Sequence, residues 1–179
     1  MENFVYVELT ATNFYFNSLD NFKRHQNVKK CWRKVGDGYT LLPIAYTEKW
    51  SLPECRELAQ KILYQLSLGA IAYGAIKDNR IVGFALILNQ RFGSKNQYID
   101  LAEFYVSKPY RRKGIGKALF QMSCIAAKKL GGKKLYISAH SAEESIAAYK
   151  SYGCTLAKEI NQSLAAREPC DLQLEFALK

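Results

Sequence analysis

A basic turn containing glycine has the residue types and spacing of an anion-binding site. It reads Arg111-Arg112-Lys113-Gly114-Ile115-Gly116-Lys117 and stands at the start of a predicted helix. The first N–H groups of a helix lack intrahelical partners and lie at the positive end of the helix dipole, so they bind anions, above all phosphate. Glycine at positions 114 and 116 would let a pyrophosphate approach the backbone, and the basic side chains would add positive charge.

Two other kinds of phosphate-binding loop do not fit this spacing. A Walker A loop requires G-x-x-x-x-G-K-[ST], but Arg111 lies five residues before Gly116, and Ala118 follows Lys117. A dinucleotide fingerprint requires a third glycine, and Leu119 occupies its position. On these residues alone, a turn with solvated lysines remains the alternative to a pyrophosphate site.

Chain length and charge narrow the class of protein. The 179 residues fit one domain, which we expect to span 1–179. The 26 Lys+Arg and 16 Asp+Glu give a net charge of +10, which favours an anionic partner: nucleic acid, an acidic surface or a polyphosphate cofactor. The basic residues cluster in 23–34, 108–117 and 128–134, and a solvated basic face explains the first cluster equally well.

Several classes of protein are disfavoured by composition. The five cysteines are odd in number and scattered, without a C-x-x-C pair, so we expect neither a disulfide framework nor a zinc site. His25 and His140 have no ligand cluster around them, so no metal is expected. Met1-Glu2-Asn3 does not begin a secretion signal, and no apolar run reaches the roughly 18 residues of a membrane span. We therefore expect a cytoplasmic protein without membrane association.

The elements that would position the turn can be predicted from periodicity and capping. In the N-terminal third we predict a strand over 4–10, a short helix within 18–31 and an extended segment over 39–46. Ser51 and Glu54 have capping-box spacing, which predicts a helix from there to about Leu66.

The pattern is more regular from Ala70 onward. Two strands joined at Asp78-Asn79 have the sequence of a hairpin. Ser141 and Glu144 have the spacing of a second capping box. The predicted ranges are strands 70–76, 80–88, 98–107, 134–139, 154–159 and 171–178, and helices 114–130 and 141–152. This order predicts a mixed sheet with helices packed on it.

Two segments together resemble a known family. Glu103-Phe104-Tyr105-Val106, followed by the basic turn and Ala118-Leu119, resembles the signature strand, [QR]-x-x-G-x-[GA] turn and helix of the GNAT superfamily of acyl-CoA-dependent N-acyltransferases. The segment 145–154 resembles that family's second motif, a short helix ending Y-x-x-x-G-F, with Cys154 in place of the usual Phe. The resemblance covers about 70–154.

The resemblance implies an α/β (α+β) fold. Its central sheet is mixed and mostly antiparallel, with six to seven strands and about four helices, and it is splayed between the fourth and fifth strands. It further implies that acetyl-CoA is the cosubstrate and that the acceptor is an amine, with a small molecule favoured over a peptide. The pyrophosphate would bind the turn Arg111–Lys117, and the pantetheine arm would lie along the backbone of Phe104, Tyr105 and Val106. Ser145 would also contact the cofactor.

The same resemblance implies catalytic roles. The attacking amine must lose a proton, and Asp100 and Glu103 are the candidate bases. Strand geometry puts their side chains on opposite faces unless a bulge intervenes. Tyr149 matches the tyrosine that protonates the departing thiolate. A water or a neutral substrate remains the alternative to either base, and structural roles remain open for all three residues.

The resemblance also divides the chain into an acceptor-side region (1–68), an acyl-CoA-binding core (69–160) and a C-terminal strand (161–179). The first region holds aromatic residues that could line an acceptor cleft, although most are expected in the core or at the rim: Phe14, Tyr15, Phe16, Phe22, Trp32, Tyr39, Tyr46 and Trp50. The segment Arg167–Asp171 could also border the cleft.

Two other functions and a homodimer remain open from the sequence. A domain of this fold could bind acyl-CoA as a sensor without turnover, but the presence of Asp100, Glu103 and Tyr149 disfavours this. The basic clusters could bind nucleic acid, but the strongest one interleaves glycines rather than aromatics. Exposed sheet edges are compatible with a homodimer.

Overall fold

The computed structural model describes residues 3–179. Met1 and Glu2, at which no secretion signal is predicted to begin, lie outside the described residues. The strands are β1 (Val5–Leu9), β2 (His25–Val28), β3 (Cys31–Val35), β4 (Gly38–Leu42), β5 (Tyr46–Lys49), β6 (Ile71–Lys77), β7 (Arg80–Phe92), β8 (Tyr98–Val106), β9 (Lys134–Ala139), β10 (Thr155–Leu156) and β11 (Leu172–Ala177). The helices are α1 (Leu52–Ser67), α2 (Ile115–Lys129), α3 (Glu143–Ser151) and α4 (Gln162–Arg167). Within 3–179, no helix is both long enough and apolar enough to cross a membrane.

Seven strands form the central sheet, in the order β1-β6-β7-β8-β9-β11-β10. Neighbouring strands are antiparallel except β8 and β9, which are parallel. This pair is joined only through Tyr98, Ile99 and Asp100, whereas β8 continues to Val106. The sheet therefore opens between its fourth and fifth strands. The predicted fold class is confirmed.

Hydrophobic cores lie on both sides of this sheet. Along β7, Ala85 and Ile87 pack in the core that α2 covers, and Phe84 and Leu86 pack in the core that α1 covers. Successive residues of a strand point to opposite faces, so the two cores are separated by the sheet. We call these two sides the α2 side and the α1 side.

β8 contains a bulge. Leu86 pairs with Glu103, but the next residue of β7, Ile87, pairs with Leu101, so Ala102 is an additional residue in β8. An extra residue reverses the alternation of side chains beyond it.

The bulge brings the two predicted acidic residues to one side. Leu101 and Phe104 both pack in the core on the α2 side, although they are three positions apart and a regular strand would place them on opposite faces. Glu103 binds Lys61 of α1, and the charges of both Glu103 and Lys61 influence Asp100. Asp100 and Glu103 therefore share the α1 side.

The N-terminal region departs from the prediction. The helix predicted within 18–31 is wrong, since turns that bury Leu19 and Phe22 lead into β2. β2 pairs with β5, and β3 pairs with β4 in a separate two-stranded sheet. The β2–β5 pairing joins residues about 20 positions apart, which local periodicity does not reveal.

One of the two predicted capping boxes is confirmed. The Ser51 N–H donates to Glu54 Oε2 at 2.7 Å, and the Glu54 N–H donates to Ser51 Oγ at 3.4 Å. The box at Ser141 is wrong, because Ala142 caps α3 without a side-chain bond. Ser141 Oγ accepts instead from Arg33 Nη1 at 2.6 Å.

The C-terminal part of the chain also differs from the prediction. The predicted strand over 154–159 is only Thr155–Leu156, and helix α4, capped by the side chain of Asn161, was not predicted.

Candidate active site

A cleft of about 1910 Å³ lies beside the opening of the sheet. β8 from Asp100 to Val106 lines one wall, and α3 with the end of β9 lines another. The N-terminus of α2 stands at one end of the cleft, which we call the α2 end. Residues of β2, β5, α1 and 161–171 surround the other end, which we call the acceptor end.

The turn before α2 is shaped by residues with positive φ. Arg112 has φ 64° and Gly114 has φ 84°, so the chain turns sharply into α2. The first intrahelical bond runs from the Ala118 N–H to the Gly114 carbonyl at 3.1 Å. The N–H groups of residues 115–117 precede it and are available to an anion.

The two glycines of the turn serve different purposes. A Cβ added at Gly114 would meet nothing within 4 Å, so glycine is needed there for its φ, and the space beside it is open to the cleft. A Cβ added at Gly116 would lie 2.8 Å from the Tyr152 hydroxyl. Gly116 therefore makes room for Tyr152 in the wall of the cleft.

The side chains of the turn are divided between cleft and core. Arg111, Arg112 and Lys117 line the cleft. Lys113 Nζ lies over the Tyr110 ring, 5.5 Å from its centroid, and the Ile115 side chain is buried in the core. These last two residues can therefore contribute to an anion site chiefly through their backbone.

Arg111 also bonds the end of β8. Its Nε donates to the Val106 carbonyl at 3.0 Å. Burial lowers the pKa of Arg111, and the charge of Arg24 lowers it further.

β8 presents backbone groups to the opening in the sheet. The Ser107 N–H donates to the Val82 carbonyl of β7 at 2.8 Å. Backbone groups alternate in direction along a strand, so Tyr105 also bonds toward β7, and Phe104 and Val106 point into the opening. Of the three residues predicted to hold the pantetheine arm, Tyr105 can offer only its side chain, which lies on the α1 side against Trp50 with ring centroids 4.7 Å apart.

The two acidic candidates differ in their partners. Asp100 is 6% exposed, yet it lines the cleft. Burial, reinforced by the charge of Glu103, raises the pKa of Asp100 to about 7, although Arg167 and Lys61 oppose the shift. Glu103 Oε1 forms an ion pair with Lys61 Nζ at 2.6 Å. Asp100 can therefore exchange a proton near neutral pH, whereas Glu103 is neutralised by its partner.

Tyr149 and Ser145 line the cleft from α3. The Tyr149 ring packs on the Phe104 ring with centroids 5.8 Å apart. Burial raises the pKa of Tyr149 well above its ordinary value, so its hydroxyl stays protonated at neutral pH. Ser145 Oγ lies 3.5 Å from Gln26 Nε2 of β2.

Sequence reasoning missed a polar network at the acceptor end. Glu48 binds Arg24 Nη2, and Glu48 Oε1 lies 3.0 Å from His140 Nε2. His140 Nε2 is also 2.8 Å from the Tyr46 hydroxyl. The network joins β5 to Arg24, just before β2, and to His140, just after β9, and no local sequence pattern predicts it.

Most of the N-terminal aromatics do not reach the cleft. Of the eight named above, Trp50 lines it, whereas Phe14 and Phe22 are buried in the core. Arg167, Glu168 and Asp171 do border the cleft, as their segment was expected to.

Within residues 3–179, the structure contains no group of three or more His, Cys, Asp and Glu residues that could hold a metal ion. A glycine-bearing helix N-terminus beside the opening of a mixed sheet has the geometry of an anion-binding site. The family model of the acetyltransferase (GNAT) family matches residues 37–154, which is more than half of the chain. The chain therefore belongs to the GNAT acetyltransferase family.

Solved structures share this fold. Nourseothricin acetyltransferase is 17% identical with a TM-score of 0.72, and the match covers 98% of this chain and 99% of that one. Aminoglycoside 6'-N-acetyltransferase, solved with coenzyme A, is 15% identical with a TM-score of 0.53, and the match covers 70% and 80% of the two chains. A GNAT family acetyltransferase from Elizabethkingia anophelis, solved with acetyl-CoA, is 20% identical with a TM-score of 0.51, covering 68% and 82%. No curated protein sequence matches the chain.

Proposed function

We propose that this protein transfers an acetyl group from acetyl-CoA to a primary amine of a small molecule, by direct attack of the amine. One observation carries the proposal: the open N-terminus of α2 and the edge of β8 that no strand pairs with face the same cleft as Asp100 and Tyr149. Family membership and the acetyl-CoA and CoA complexes of the two structures described above support it.

The residues present fit the shape and charge of CoA. The N–H groups of residues 115–117 would bind the pyrophosphate, with Arg111, Arg112 and Lys117 around it. The backbone groups of Phe104 and Val106 would pair with the amides of the pantetheine arm in the way that a neighbouring strand would. Acetyl-CoA supplies a thioester, whose acyl carbon accepts the amine.

Asp100 is the base in this proposal, because a base that titrates near neutral pH removes a proton most effectively. An ammonium group has no lone pair, so the proton must leave before the amine can attack. Glu103 supports Asp100 by raising its pKa. Tyr149 keeps its proton at neutral pH and would donate it to the departing thiolate.

The proposal also assigns regions of the chain. Residues 1–179 form one acyltransferase domain, with acceptor-side residues in 1–68, the acyl-CoA site in 69–160 and a C-terminal strand in 161–179. Helix α4 and Asp171, both in the last segment, extend the acceptor end of the cleft.

Two measurements test this function. Acetyl-CoA binding is measured by calorimetry, and thiol release is followed with a panel of polyamines, aminoglycoside-like compounds, amino acids and peptides. We expect binding and amine-dependent thiol release, with a product heavier by one acetyl group. Binding without release for every amine would favour the sensor function, and absence of both would refute the proposal.

A further inference from the structure

The acceptor end of the cleft is rich in carboxylates, although the protein as a whole carries a net charge of +10. The acidic residues that line the cleft away from α2 are Glu48, Glu54, Asp100, Glu103, Glu168 and Asp171. Two of them are neutralised, because Arg24 binds Glu48 and Lys61 binds Glu103. Among the described residues, neither Asp100 nor Asp171 forms an ion pair.

Asp100 is buried without a partner. Only 6% of this residue is exposed, and within residues 3–179 its side chain has no hydrogen bond and no ion pair, although the charges of Arg167 and Lys61 influence it from a distance. A buried carboxylate without a cation or a donor is costly. Because Asp100 lines the cleft, a ligand cation is the group that could compensate this cost.

Asp171 is a second, partly buried carboxylate in the same cleft. Within the described structure the one hydrogen bond to its side chain comes from the Ser138 hydroxyl at 3.3 Å, which is a long contact. Burial raises the pKa of Asp171 to about 6, and Glu168 and Glu48 contribute to the rise, while His140 opposes it. It too lacks a matching cation.

The register of the sheet gives the spacing of these two carboxylates. Asp100 pairs with Tyr136 of β9, and Asp171 precedes Leu172, which pairs with Ala139. Asp171 therefore stands opposite residue 140 of β9, four residues beyond Tyr136, or roughly 13 Å along the strand. Because β8 and β11 lie on either side of β9, the two residues are also roughly 10 Å apart across the sheet, which gives a separation of roughly 16 Å between their Cα atoms.

Both carboxylates face the same side of the sheet. Asp171 contacts Ser138, which lies two residues from Tyr136, and the charge of Asp100 influences Tyr136. Alternate residues of β9 share a face, so one acceptor molecule could reach both carboxylates.

We infer that the acceptor is a diamine or polyamine, with one amino group presented at Asp100 for acetylation and a second cationic group bound at Asp171. This inference rests on the proposed function for the role of Asp100. A monoamine would leave Asp171 without a cation. An acceptor bearing a carboxylate at that distance would be repelled by Asp171 and Glu168.

A matched pair of acceptors tests the inference. Diaminooctane, with terminal amino groups, and octylamine have the same chain length and differ in the second cation. We expect wild-type kcat/KM to be higher for the diamine by about tenfold or more, since a charged hydrogen-bonded contact of this kind is typically worth that factor.

Asp171→Asn removes the charge and keeps the shape. It should abolish the preference for the diamine by raising KM for diaminooctane, and leave kcat/KM for octylamine unchanged. Asp37→Asn is the control, because Asp37 is exposed in the turn between β3 and β4 and carries the same charge change outside the cleft. The control should retain the preference.

Equal kcat/KM for the two acceptors, or an equal loss for both in Asp171→Asn, overturns the inference and leaves the transferase function intact. Calorimetry with spermidine tests the same site without turnover. If no amine is acetylated but spermidine binds to the wild type and not to Asp171→Asn, the cation site stands and the proposed function fails. If spermidine does not bind to the wild type, the cation site is refuted.

Discussion

Replacing Glu103 with glutamine distinguishes the two candidate bases, because its effect on the pH dependence of kcat/KM depends on which carboxylate removes the proton. The negative charge of Glu103 raises the pKa of Asp100, and the positive charge of Lys61 lowers it. In Glu103→Gln the negative charge is lost, and the positive charge of Lys61 is no longer balanced by an ion pair with residue 103. If Asp100 is the base, its pKa falls, and the acidic limb of the profile moves to lower pH.

The size of this shift follows from the arrangement on β8. Asp100 and Glu103 lie on one face because of the bulge, and only two residue steps separate them in the register with β7, so we place their carboxylates roughly 7 Å apart. At an effective dielectric constant of about 20 to 40, two unit charges at that distance interact by about 1 to 2.5 kcal/mol. This corresponds to a fall of about one to two pH units from a wild-type value of about 7.

The assay measures kcat/KM for one amine between pH 5 and 9, so that the ionisation of the amine is the same for every variant. At pH 6 the wild type should reach about a tenth of its plateau and Glu103→Gln about half or more. Lys61→Met should move the limb in the opposite direction. Loss of turnover at every pH in Glu103→Gln, with turnover retained in Asp100→Asn, would make Glu103 the base and refute the reasoning.

Three further predictions concern the cofactor site, the general acid and the stability of the protein. Gly114→Ala should weaken acetyl-CoA binding, measured by calorimetry, and lower the free energy of unfolding by about 1 kcal/mol. Gly36→Ala is the control, because Gly36 also has positive φ and open space beside it, and this variant should change only stability. Equal acetyl-CoA affinities for the two variants would contradict the prediction. Tyr149→Phe should lower kcat by about 100-fold without changing CoA affinity, as measured by thiol release and calorimetry; wild-type kcat would remove the hydroxyl from the reaction. The pKa of Asp100 is raised from 3.8 to about 7 on folding, so the folded state binds more protons over that range and its stability falls as pH rises through it. The free energy of unfolding of Asp100→Asn, measured in urea, should therefore exceed that of the wild type by about 1 to 4 kcal/mol at pH 8 and differ little from it at pH 4. A wild-type free energy of unfolding at pH 8 would contradict burial as the cause of the raised pKa of Asp100.

The hairpin turn and the first capping box were predictable from the local sequence, because each forms through contacts between residues close together in the chain. The Asp78-Asn79 turn has positive φ at both residues, as the hairpin sequence predicted. The box at Ser51 and Glu54 forms because both partners lie within one helical turn. The box at Ser141 fails for a tertiary reason, since Arg33 from a distant hairpin takes its hydroxyl and the backbone at Ala142 is bridged to Cys31.

The candidate site was predictable only in part, for a similar reason. The turn before α2 carries its own signal in Gly114 and its basic neighbours. The relation between Asp100 and Glu103 depends on a bulge at Ala102, which shows only in the register with β7. The acceptor end depends on the pairing of β2 with β5, which local patterns do not encode.

The bulge at Ala102 determines which face of the sheet each later residue of β8 occupies. A strand that kept Ala102 but alternated regularly would turn every side chain after Ala102 to the other face. Phe104 and Val106 would then point toward α1 and the acceptor, and Glu103 and Tyr105 would be pressed into the hydrophobic core beneath α2. Deleting Ala102 is the opposite case, because a strand without this residue alternates regularly and still leaves Asp100 and Glu103 together on the α1 side.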